Sequence, residues 1–266
     1  MREALTFDCA GSRCWATLDA APGSTGLLIV SGGNELRMGS HRGMAKLSQD
    51  LATQGFPVFR FDRRGVGDSE GDNAGFESSA PDIAAALATF RAAQPQLKRV
   101  IAFGNCDAAS ALLLHPSLEV DGLILSNPWT IEPSDDDDTP PPAVVRAYYA
   151  KRLRDPRAWL KLLRGGVNLR DTRTSLKAAT RADTPSPLAE RLAAALQKHD
   201  LPISILLASQ DGTAIAFDAA WGSPTFAAVR HRGHITRHAS ASHSFAVPAD
   251  YTVLRAHILK ALTPPA

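Results

Sequence analysis

"VIAFGNCDAAS", residues 100–110, decides how this chain folds. Val100-Ile101-Ala102-Phe103 is an apolar run without alternation, the pattern of a strand buried on both faces. From Ala108 to Leu114 the residues are small or good helix formers, so a helix follows. Between them Gly104-Asn105-Cys106-Asp107 must turn the chain sharply, with a lone cysteine at the apex.

Working outward, the same alternation repeats. Leu27-Leu28-Ile29-Val30 reads as a buried strand ending in the tight turn Ser31-Gly32-Gly33, and a helical pattern runs from Met44 to Gln54. Pro57 to Phe61 is the next strand. Pro81 to Ala93 is an Ala-rich helix with proline in its first turn, where the missing N–H costs nothing. Beyond the corner, Gly122 to Leu125, Ile203 to Ala208 and His234 to Ala239 read as strands, and Ala249 to Leu262 as a closing helix. An N-terminal hairpin turns at Ala10-Gly11-Ser12-Arg13, flanked by Cys9 and Cys14, which read as reduced, half-buried thiols. The expected fold is α/β, a mostly parallel sheet of about eight strands with helices on both faces. The alternation breaks at "EPSDDDDTPPP", residues 132–142, and Ala143 to Leu163, Thr174 to Ala179 and Leu188 to Lys198 look helical. Residues 1–131 and 200–266 therefore form the expected core, and residues 132–199 a helical cap insertion.

Bulk properties narrow the function. The 266 residues carry 29 Lys and Arg against 27 Asp and Glu, without a long basic block, which gives no electrostatic case for nucleic acid. No apolar run approaches the length of a membrane span, and the first twenty residues lack a signal-peptide core. Three cysteines are too few for a disulfide framework, so a reducing cytoplasm is the expected setting. His231, His234, His238 and His243 crowd together, but their spacing fits no zinc signature. The Asp135–Asp138 run lacks the spaced ligands of a calcium loop and reads as solvated. The reading calls for no metal and no cofactor; the expected partner is a small-molecule acyl substrate, the protein acting as a monomer or homodimer.

A strand–turn–helix corner holding Gly-x-nucleophile projects the side chain clear of both elements, with helix N–H groups behind it to favour a developing anion. Cysteine gains there, because a helix N-terminus or a neighbouring histidine raises the thiolate fraction. Ala108 stands where the G-x-S-x-G pattern has its second glycine. A nucleophile needs a base and an orienter. Asp211 follows one strand and His243 the last, both at C-terminal strand ends, in the chain order nucleophile, acid, histidine. The oxyanion donors would be the N–H of Asp107 and that of Gly33 or Asn34 in "SGGNE", residues 31–35. Arg37, His41 and Arg42 could hold a substrate carboxylate or phosphate near the mouth. Trp129, Tyr148, Tyr149 and Trp159 could border an apolar pocket beneath the cap. Asp62 is expected to anchor its own loop through Arg64. Ser110 faces the wrong way to replace Cys106.

With these pieces located, the chain resembles the α/β-hydrolase superfamily. "DRRGVGDSEG", residues 62–71, is similar to the D-x-R-G-x-G-x-S loop of many members. More narrowly, "SGGNELRMGSHRG", residues 31–43, and "RAYYAKRLRDPRAWLKLLRGGVNL", residues 146–169, resemble the type 1 hydrolase associated with the exosortase A system, whose genes accompany exopolysaccharide and protein-sorting functions. The resemblance implies an α/β-hydrolase fold with a cap and supplies no substrate. The expected reaction is cleavage of an acyl ester or thioester through a Cys106–His243–Asp211 triad and an acyl-enzyme. The alternatives are acyl transfer to a sugar or amine acceptor in exopolysaccharide metabolism, and a non-catalytic binding module on the same fold.

Overall fold

The computed structural model describes residues 1–132, 142–153 and 186–263. One sheet contains β1 (Arg2–Cys9), β2 (Ser12–Asp19), β3 (Thr25–Val30), β4 (Val58–Phe61), β5 (Arg99–Asn105), β6 (Gly122–Ser126), β7 (Ile203–Ala208) and β8 (Gly233–His238). Their order is β1-β2-β4-β3-β5-β6-β7-β8. The hairpin β1–β2 and the pair β2–β4 are antiparallel, and every other pairing is parallel. This is the layering and strand order of an α/β-hydrolase fold.

The central strands are apolar throughout because both faces are covered. Successive side chains of a strand point to opposite faces. Leu28 and Val30 of β3, with Val100 and Ala102 of β5, therefore enter the larger core cluster, while Leu27, Ile29, Ile101 and Phe103 enter the smaller one. On the larger side lie α2 (Ala80–Ala93), α3 (Asp107–Leu114), α5 (Pro187–Leu196) and α6 (Gly212–Gly222). On the other lie α1 (Gly43–Ala52), through Leu47 and Leu51, and α7 (Pro248–Leu262), through Leu254, Ile258 and Leu262. In α2 the buried Ile83, Ala86, Leu87 and Phe90 make one helical stripe, and Phe90 stacks on Phe59 with ring centroids 5.4 Å apart.

Two features of the expected insertion emerge. The helix α4 (Pro142–Leu153) packs against α6, and Val144 lies beside Gly212. The helix α5, placed with the cap by the sequence reading, packs against α3 instead, and Leu188, Leu192 and Leu196 join the larger core. Its start is fixed by Ser186, whose Oγ accepts the Ala189 N–H and donates to the Thr130 carbonyl. The Asp135–Asp138 run, Trp159 and Thr174 to Ala179 lie outside the described residues, as do the side chains of Tyr148 and Tyr149. Cys9 and Cys14 are free and buried; Cys9 pairs across the hairpin with Ser12, and Cys14 with Phe7.

The parallel strands all end on one edge. That edge receives residues 31–35 after β3, the corner after β5, Asn127 after β6, Asp211 after β7 and His243 after β8.

Candidate active site

Cys106 sits at the N-cap of α3 with φ 61 and ψ −129. A side-chain-bearing residue at positive φ is strained, and such backbone persists only where its surroundings over-determine it. Four bonds do so here: the Cys106 N–H donates to the Ser126 carbonyl (2.9 Å), and the Cys106 carbonyl accepts from the Ala109 (3.1 Å), Ser110 (3.4 Å) and Trp129 (3.2 Å) N–H groups. Gly104 lets the helix close onto the strand. A Cβ there would meet the backbone carbon and oxygen of Ala108 at 2.7 Å and the Ala109 nitrogen at 2.8 Å. Ala108, where the familiar pattern has a second glycine, is fully buried.

Asp211 caps α6: its Oδ2 accepts the Ala214 N–H at 3.1 Å and the Nδ1–H of His243 at 3.0 Å. Burial pushes the Asp211 carboxyl up, but the hydrogen bond and charge of His243 and the Ala214 and Thr213 N–H groups outweigh it, so the acid stays below its ordinary value. Hydrogen bonds to Asp211 and then to Cys106 raise His243 to about 10, against the opposing effect of burial. The imidazole thus lies between the carboxylate and the thiol. The loop that carries it is braced. Asp250, buried at the start of α7, binds Ser240 Oγ at 2.6 Å and His238 Nε2 at 2.7 Å, and Ser240 Oγ accepts the Ser242 N–H.

The facing wall is residues 31–35. The Asp107 carboxylate takes the Gly33 N–H, with both oxygens at 2.8 Å. A side chain at Gly32 would collide with that carboxylate. Buried Arg63 donates to the Gly33 carbonyl, and Asn73 Nδ2 donates to Asn34 Oδ1 at 2.7 Å. Of the expected second donors, Gly33 is therefore committed to Asp107, and Asn34 lines the cleft. The sequence points only to the backbone of Asp107; its side chain is the tie across the site.

A cleft of about 540 Å³ opens above Cys106, with Asn34, Trp129, Phe76 and His243 among its walls. Trp129, expected to border an apolar pocket beneath the cap, lines this cleft. Phe76, Asn105 and Glu35 were missed. Glu35 closes the "SGGNE" turn and accepts the Ser40 N–H at 2.7 Å; burial, aided by Asp107, pushes its carboxyl up against the opposing effects of Ser40 and His243. Its place two residues beyond Gly33 was the available signal.

The basic trio does not reach the cleft. Arg37 donates from its N–H and its Nη1 to buried Asp62, and from Nε to Thr17 Oγ1 at 3.0 Å. His41 and Arg42 are exposed at φ 52 and 60 ahead of α1, outside the described cleft lining. The expected Asp62–Arg64 anchor is also replaced: Asp62 holds Arg37, and Arg64 forks onto Asp82, Nε and Nη2 each at 3.0 Å. Long-range pairing of this kind has no local sequence signal. Ser110 is buried and donates to the Trp129 carbonyl, as its helical position required.

The family model described as serine aminopeptidase, S33, matches residues 27–213. No curated protein sequence matches the chain significantly. Among solved structures, esterase Pf2001 of Pyrococcus furiosus aligns at a TM-score of 0.64 and 10% identity over 98% of this chain and 90% of its own. The thioesterase domain of the curacin biosynthetic pathway aligns at 0.58 and 13% identity, covering 97% and 99%. An α/β hydrolase from Sphaerobacter thermophilus aligns at 0.56 and 20% identity, covering 96% and 100%. At these identities the likeness is one of fold.

Proposed function

The chain belongs to the serine aminopeptidase, S33, family of hydrolases, and from that premise we propose that it cleaves acyl esters or thioesters with Cys106 as nucleophile, His243 as base and Asp211 as orienter. The observation that carries the reading is the strained Cys106 corner with its thiol against an imidazole that Asp211 holds at 3.0 Å. The family is named for a serine; a thiolate in its place suits thioesters and activated esters, being both a good nucleophile and a good leaving group.

In this mechanism the proton shared by the Cys106–His243 pair rests on the imidazole, and the thiolate attacks the carbonyl carbon. The resulting oxyanion rests on the Asp107 N–H, joined by that of Asn34. The tetrahedral species collapses as His243 returns the proton to the leaving alcohol or thiol. Water, deprotonated by His243, then releases the acid from the Cys106 thioester. The esterase and the thioesterase domain among the structural neighbours agree with this class. The packing of α4 beside Gly212 supports a cap that reaches the acid end of the site. Since α5 packs as core, that cap would end before Ser186.

The test is turnover of acyl thioesters and activated aryl esters of graded chain length by wild-type protein and Cys106→Ala. Turnover lost in the variant supports the reading; equal turnover overturns it.

A further inference from the structure

Resting on the triad reading above, we propose that Asn127 is the positioning residue that holds the nucleophile, the acid and the base in register. It follows β6 directly, is fully buried, and has φ 42, a left-handed conformation that asparagine tolerates better than most residues. Both ends of its amide are used. Oδ1 accepts the Ala208 N–H at 2.8 Å; Nδ2 donates to the His243 carbonyl at 3.0 Å and to Asn105 Oδ1 at 3.3 Å.

Each partner belongs to a different arm of the triad. Asn105 immediately precedes Cys106. Ala208 ends β7, and its carbonyl accepts the Asp211 N–H at 2.8 Å. His243 is the base itself. One planar group therefore spans three segments that are far apart in sequence. The position demands an acceptor and two donors on one short side chain. Aspartate supplies no donor when ionised, serine reaches less far, and glutamine is a methylene too long. Asn127 is outside the described lining of the cleft, so its effect falls on the alignment of reacting groups and not on substrate contact.

The variant Asn127→Asp keeps the size and the acceptor for Ala208 but turns the donating end into an acceptor facing the His243 carbonyl. A displacement of about 1 Å at a reacting group can cost about 10²-fold, so kcat should fall by about that factor. KM for an activated ester should stay within about threefold, since ground-state binding is untouched. Asn127→Ser adds no charge but is too short to span its three partners, and should move the same quantities in the same direction; it carries the test if Asn127→Asp does not fold. The discriminating measurement is the pH profile of Cys106 alkylation by iodoacetamide, read by peptide mass beside the melting temperature. A profile shifted in the folded variants supports the inference, because the imidazole no longer sits as before against the thiol. Profiles that superimpose on wild type, or a kcat loss that merely follows the melting temperature, overturn it. Failure of the triad reading is separately visible. In that case wild-type Cys106 itself titrates as an ordinary thiol, and the role of Asn127 falls with it.

Discussion

Replacing Gly104 by alanine tests whether the corner is built by close approach of strand and helix. The added Cβ would stand 2.7 Å from the Ala108 carbonyl carbon and oxygen and 2.8 Å from the Ala109 nitrogen. Carbon contacts are favourable at about 3.5–4.0 Å, so the first turn of α3 must retreat by about 0.8 Å. These are backbone atoms and cannot rotate aside. Overpacking of this kind costs about 1–3 kcal/mol, which for a chain of this size lowers the melting temperature by about 2–4 °C per kcal/mol. The retreat also carries the Asp107 N–H away from the oxyanion. A donor at about 2.9 Å would move to about 3.7 Å, beyond hydrogen-bond range, and losing one such donor costs about 10²–10³ in kcat. Gly222→Ala is the control, since its Cβ would meet nothing within 4 Å and its φ is not positive. Activated-ester hydrolysis and thermal melting should show Gly104→Ala impaired in both and Gly222→Ala in neither. Wild-type kcat and melting temperature in Gly104→Ala would refute the reasoning.

If Cys106, His243 and Asp211 act as one unit, Cys106→Ala and His243→Ala should each cost kcat/KM nearly as much as the double replacement, about 10⁶-fold. Asp211→Asn should cost less, about 10⁴-fold, and strictly additive losses would show that His243 works elsewhere. The pH dependence has a definite sign. His243 is raised from 6.5 to about 10, so its pairing stabilises the fold fully below pH 6.5 and loses that effect as pH rises through about 10. Asp211 is held below its ordinary value, so its contribution is present above pH 3.8 and is lost as pH falls through its folded value. Chemical denaturation should therefore find Asp211→Asn most deficient between about pH 4 and 6.5 and nearly equal to wild type above about pH 10. A deficit that grows with alkalinity would contradict the pairing. Hydrolysis itself should decline above about pH 10 as the imidazolium that protonates the leaving group is lost, and Asp211→Asn should move that limb downward.

The strand ends were readable because β3, β5, β6 and β7 are apolar on both faces, a pattern that betrays a covered parallel sheet and locates its carboxyl edge. Chain order then brought Cys106, Asp211 and His243 to that edge. What the pattern could not supply was the destination of long side chains. Arg37 follows the glycine turn as a substrate-binding arginine would, yet its guanidinium crosses to Asp62 and Thr17, each many residues away. Asp107 could be located but not aimed, because its bond to Gly33 exists only once β3 and β5 are side by side. In α5, the spacing of Leu188, Leu192 and Leu196 marks a buried stripe without saying which body buries it. Asn127 carries no local signal at all, since its three partners come from three other strands' ends.

The most direct measurement of the central claim is the intact mass of the protein, quenched in acid during turnover of a slow acyl thioester, followed by peptide mapping. The account predicts one acyl group per chain, carried by the peptide that contains Cys106, with buried Cys9 and Cys14 unmodified. An acyl group mapped to any other residue, or steady turnover by Cys106→Ala, would contradict it.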